Sequence, residues 1–95
     1  MKGLFMTQPV EWHNYHLKRV KVIFKPRLKY ETRGLKPGII EHINKELIVR
    51  PCWLMSETDA YPGEWALGPA NPSEYLLPNI HWIASGDVEF VEEVE

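Results

Sequence analysis

Leu17-Lys18-Arg19-Val20-Lys21-Val22-Ile23-Phe24 is the stretch on which the reading of this chain turns. Val20, Val22 and Phe24 recur at every second residue, so an extended strand gathers them on one face and leaves Arg19 and Lys21 on the other. Its counterpart is Val88-Glu89-Phe90-Val91-Glu92, near the far end, where Val88 and Phe90 share the inward face and Glu89 points out. The first of these strands is cationic and the last anionic. The same division runs through the whole chain. Residues 1–36 hold nine Lys or Arg against two Glu, residues 37–95 hold two against eleven acids, and the net charge is only −2. Such a split means either a basic surface awaiting an anionic partner or basic and acidic strands paired with each other. If the two end strands are neighbours, Lys18, Arg19 and Lys21 lie opposite Glu89, Glu92 and Glu93. Cross-strand opposite charges contribute roughly 0.2–1 kcal/mol each, with exposed pairs at the low end.

Between the ends, the sequence alternates short apolar runs with turn signals. Lys25 to Pro37 reads as a long polar loop closed by Pro37-Gly38. Ile39-Ile40-Glu41-His42-Ile43 then reads as a short strand, Asn44-Lys45 as a hairpin turn and Glu46-Leu47-Ile48-Val49-Arg50 as the returning strand. Pro51 interrupts that strand, which puts Cys52-Trp53-Leu54-Met55 past a bulge or on an edge. An acidic loop from Ser56 closes at Pro62-Gly63, and Glu64-Trp65-Ala66-Leu67-Gly68 follows as a strand. Asn71, Pro72 and Glu74 have the order of a helix start and predict a single helical turn. Ala84-Ser85-Gly86-Asp87 reads as a 3-10 turn before the last strand.

Five to six short antiparallel strands with Pro and Gly turns in under 100 residues predict an all-β fold, a small barrel. Over residues 17–93 the chain resembles the SH3-like barrels. The resemblance is carried by Val20-Lys21-Val22, Pro37-Gly38-Ile39-Ile40, Leu47-Ile48-Val49, Trp65 and Ser85-Gly86-Asp87-Val88-Glu89-Phe90-Val91. It implies a short 3-10 turn before the last strand and pairing of the last strand with the first. Residues 20–49 are also distantly similar to the nucleic-acid-associated KOW half-barrel, but lack a glycine directly after the first strand and carry a long insertion. The expected organisation is an N-terminal arm over 1–14 and a single SH3-like barrel over 15–95. Trp12 in the arm either docks on the barrel or is exposed.

Composition bounds the role. Ninety-five residues suit one domain, and eleven aromatics supply much of the apolar area that a small core needs. Eight prolines argue against long helices. A single cysteine, Cys52, rules out an internal disulfide and fits a reducing, cytoplasmic location. No apolar run approaches a membrane span, and the first residues turn polar too soon for a secretory signal. No catalytic chemistry is expected. His13 and His16 form one loose H-x-x-H pair, short of the three or four converging ligands a zinc site requires. Cys52 has no base with an orienting partner at a telling spacing. Glu57, Asp59 and Glu64 read as solvated carboxylates, whereas acid–base catalysis needs one carboxyl in an apolar pocket beside another that stays ionised. Neither metal nor cofactor is expected.

Two surfaces point to binding. Trp53, Tyr61, Trp65, Tyr75 and Trp82 fall where they would rim one side of a barrel, and Trp and Tyr are common interface anchors. A protein-binding module or small regulator or inhibitor would dock through Tyr61, Trp65 and Tyr75 and the acidic loop at Glu57 and Asp59. Its size suits a phage or mobile-element accessory protein acting on a host protein. The alternative is a nucleic-acid binder that uses Lys25, Arg27, Lys29, Tyr30, Arg33 and Lys36, since loop cations around an aromatic can contact phosphates and stack a base. An unpaired edge strand, for instance beside Pro51, would permit a homodimer.

Overall fold

The computed structural model describes residues 10–27, 37–78 and 80–94. Five antiparallel strands form one sheet: β1 (Val20–Phe24), β2 (Glu46–Leu54), β3 (Trp65–Pro69), β4 (Ile83–Ala84) and β5 (Val88–Glu93), in the order β4-β3-β2-β1-β5. The fold is predominantly β, as the sequence predicts. The sheet is open, with β4 and β5 as its edges. It is nevertheless strongly curved. Only the 3-10 turn Ser85–Asp87 joins one edge strand to the other, and the four steps from Ala84 to Val88 reach at most about 14 Å. The edges of a flat five-stranded sheet would stand about 19 Å apart. Among the described residues no helix is long and apolar enough to cross a membrane.

β1 lies between β2 and β5, so the cationic first strand does run beside the anionic last one. Lys21 faces Glu92 and Ile23 faces Glu89, with a shift in register between Lys21 and Val22 that leaves Val91 as the extra residue. Without that bulge Val91, not Glu92, would oppose Lys21. The Lys21 ammonium is 3.5 Å from Glu92 on one neighbouring strand and 3.9 Å from Glu46 on the other, and Lys25 is 2.6 Å from Glu89. Lys21→Glu replaces this cation between two carboxylates with a third carboxylate. It is expected to lower stability by about 1 kcal/mol at low ionic strength. The loss should shrink in 1 M NaCl as screening shortens the reach of the repulsion, which urea titrations at two salt concentrations would read.

The core gathers on one face of the sheet. Val20, Val22, Phe24, Val49 and Leu67 are buried there with Ile83, Ile39 and Leu77. Residues 12–15 form a 3-10 turn, and of the two alternatives for Trp12 the docked one is seen: Trp12 packs edge-on to Phe90 at 6.0 Å and Tyr15 lies 5.1 Å from the same ring. A smaller cluster of Met55, Ala66 and Ala84, covered by Tyr61, lies on the opposite face.

One expectation fails. The segment after Pro37 is not a strand; Pro37–Ile40 is one helical turn, which Pro favours at its start. It carries Ile39 into the core, and His42 and Ile43 donate to the carbonyls of Ile39 and Ile40. Asn44 does take the left-handed conformation, with φ 65°. Its N–H donates to Phe24 and the Phe24 N–H to Lys45, so the returning strand pairs with β1 instead of a hairpin partner. Pro51 does mark a bulge, one of the two alternatives expected of it: the register of β2 against β3 shifts between Pro51 and Trp53, and β1 pairs only with Glu46–Val49. Pro51 is tolerated because its carbonyl accepts from Leu17, before β1 begins at Val20. Its missing N–H faces the same way, where no ladder bond is lost.

Candidate functional site

The bulge in β2 builds the most distinctive surface. Pro51 pairs with Leu67 and Trp53 with Ala66, so Cys52 is the extra residue. In an unbulged strand Trp53 would share the core face with Pro51. The bulge turns it to the face that carries Arg50 and Gly68. There Trp53 meets Trp82 edge-to-face, with ring centroids 5.7 Å apart. The two indoles remain 46% and 37% exposed. Together with Arg50, Cys52, Pro69, Pro72 and His81 they line a cleft of about 220 Å³. Gly68 keeps its floor open: a Cβ would come within 3.1 Å of the Cys52 sulfur. The Cys52 thiol donates to the Arg50 carbonyl at 3.1 Å. Beyond Pro69 a second recess of about 320 Å³ is lined by Glu46, Ile48, Asn71, Glu74 and Tyr75. Asn71 shapes its rim by accepting from the Ser73 N–H and hydroxyl, forming a turn in place of the expected helix start.

The residues singled out from sequence are not drawn into one rim. Trp65 packs on the main core, its backbone N–H donating to the Ser85 hydroxyl and its ring 5.8 Å from His16. Tyr61 covers the smaller cluster on the other face. Tyr75 is 54% exposed and stacks on His81 at 4.2 Å, so of the three it alone adjoins the tryptophan cleft. Glu57 and Asp59 are in the exposed loop after β2, where Asp59 accepts from the Ser56 N–H at 2.7 Å and so orders the loop itself. Trp53 and Trp82, present in the sequence-level aromatic set, emerge as its exposed pair.

The candidate phosphate-binding cations are divided differently. Lys29, Tyr30, Arg33 and Lys36 lie outside the described residues. Lys25 is engaged with Glu89, and Arg27 sits at the centre of a clamp. Its Nε and backbone N–H both donate to Asp87 Oδ1, at 2.6 and 3.1 Å. Its Nη1 and Nη2 donate to the two oxygens of Glu64 at 2.9 and 2.8 Å, a bidentate fork. The guanidinium also lies 4.1 Å over the Tyr61 ring. The Glu64 hydrogen bonds, helped by Asp87 against the cost of burial, push the Arg27 pKa up, so its charge is fixed at every working pH. Glu64 is therefore committed to a guanidinium, which is a structural use of a carboxylate first weighed for acid–base chemistry.

Local backbone geometry sets up this clamp. Gly63, at φ 85°, turns the chain so that the Glu64 carbonyl accepts from the Met55 N–H. The Gly86 N–H then donates to Glu64 Oε1 at 2.9 Å. A Cβ on Gly86 would stand 2.7 Å from both Arg27 Nη2 and Glu64 Oε1. Gly86→Ala must force the fork apart and is expected to cost about 1–3 kcal/mol, seen as a lower thermal midpoint. No signal in the sequence joins Arg27 to Asp87, which is sixty residues away.

Among the described residues, no group of three or more His, Cys, Asp or Glu side chains could hold a metal ion. His16 instead donates to the Cys52 carbonyl at 3.0 Å, and His13 pairs with Glu11 at 3.5 Å. No family model, curated protein or solved structure matches this chain.

Proposed function

We propose that this chain is a non-enzymatic protein-binding module, a small regulator built on an SH3-like barrel, and that its docking surface is the Trp53–Trp82 cleft. The barrel reading is supported by the strand order, by the pairing of β5 with β1 and by a 3-10 turn leading into the last strand. The binding reading is carried by one observation: a bulge spends a tryptophan on the face away from the core, where it stays about half exposed beside a second one. A small core has every use for an indole, so placing two outside it points to a partner that covers them. Trp and Tyr concentrate binding energy when a partner desolvates them, and Tyr75 extends the surface.

The test is capture from a lysate of source cells by the immobilised chain, with and without nuclease, beside the variant Trp53→Ala/Trp82→Ala. The proposal expects a protein that survives nuclease and disappears with the double variant. Capture abolished by nuclease would point to nucleic acid instead, and equal capture by the variant would remove the cleft from consideration.

A further inference from the structure

The two recesses differ in chemistry, and together they describe an occupant. Resting on the protein-binding reading above, we infer that the surface takes an extended peptide segment that seats a large aliphatic or aromatic side chain against Trp53 and Trp82 and a Lys or Arg against Glu46 and Glu74.

The apolar half follows from the cleft walls: two indoles, Pro69 and Pro72. The cationic half follows from the neighbouring recess. Two carboxylates line it, and neither is well satisfied by the protein itself. Glu46 has Lys21 at 3.9 Å, and Glu74 has the Asn71 amide at 3.5 Å. Both distances are at the limit of a useful contact, so an incoming cation gains what these weak partners leave.

Arg50 sets the direction. It belongs to the tryptophan cleft and not to the acidic recess. A peptide cation is repelled from the first and drawn to the second, so the two anchors cannot exchange places. Spacing is bounded as well. Glu46 and Trp53 stand seven residues apart on the same face of β2, about 20 Å along a strand that advances about 3.3 Å per residue and loses one step to the bulge. The two anchors of an extended peptide are therefore about six residues apart.

Selection of random dodecapeptides on the immobilised full chain tests this. The expected result is enrichment of sequences with a large apolar residue about six positions from Lys or Arg. A fluorescein-labelled selected peptide should bind about tenfold more weakly to Glu46→Gln/Glu74→Gln, and replacing its cation with Gln should abolish that difference. Enriched peptides without a cation, or with binding indifferent to Glu46 and Glu74, would overturn the inference while leaving the protein-binding reading intact. No enriched peptide, together with tryptophan-dependent capture of a protein from the lysate, would also overturn it, because the partner would then be docking through a folded surface. Failure of the lysate capture itself is a separate result and sinks the broader reading.

Discussion

Arg27→Ala is expected to lower the unfolding free energy by about 3 kcal/mol, the largest loss of any single substitution proposed for this chain. Asp87 is 0% exposed, and its Oδ1 receives both the side chain and the backbone of Arg27. Its Oδ2 has no hydrogen-bond partner in the structure. Removing the guanidinium leaves a buried carboxylate without its cation, a defect that typically costs about 3–5 kcal/mol. The lower end applies because the Arg27 side chain is 34% exposed and water can reach part of the gap. Glu64 loses its fork at the same time. In a domain of this size 3 kcal/mol corresponds to a fall in thermal midpoint of about 12–24 °C. Arg27→Lys keeps the charge but cannot span both carboxylates, so it should rescue only part of the loss. A cycle combining Arg27→Ala with Glu64→Gln should be clearly non-additive, since both act on one network. A midpoint change of a few degrees would mean that the clamp is ornamental.

Trp53→Ala is the second large effect, and it falls on binding. An indole that a partner buries at the centre of an interface is worth about 2 kcal/mol or more on truncation, which is roughly thirtyfold in affinity. The fold should lose less than it would for a core ring. Trp53 points away from the main core and is 46% exposed, so its removal is expected to cost about 1–2 kcal/mol of stability. Trp82→Ala should behave alike. Trp65→Ala should behave oppositely, because that ring packs on the main core. The two tryptophans are twelve residues apart in one sheet region, yet they serve different faces.

The β1–β5 arrangement was legible because charge and alternation pointed the same way. Lys21 and Glu92 did come to face each other, though Lys25 rather than Lys18 met Glu89. Strand β3 and the 3-10 turn at Ser85–Asp87 were legible from their turn residues. Ile39 to Ile43 misled because a short apolar run has no period of its own, and Pro37 and the Phe24–Lys45 bond decided its shape. The cleft was half legible. Pro51 announced a bulge, but only the register shows that the bulge moves Trp53 to the outer face and not Trp65. The Arg27–Asp87 clamp was illegible, since nothing local marks Asp87 as buried.

The division of labour between the two faces is the claim on which the rest depends. Its most direct test is a paired measurement of partner affinity and thermal midpoint on Trp53→Ala and Trp65→Ala. The expected result is lost affinity with the smaller fall in midpoint for Trp53→Ala, and the larger fall in midpoint with affinity kept in the folded protein for Trp65→Ala. The reverse pattern, or two variants that behave the same, would contradict it.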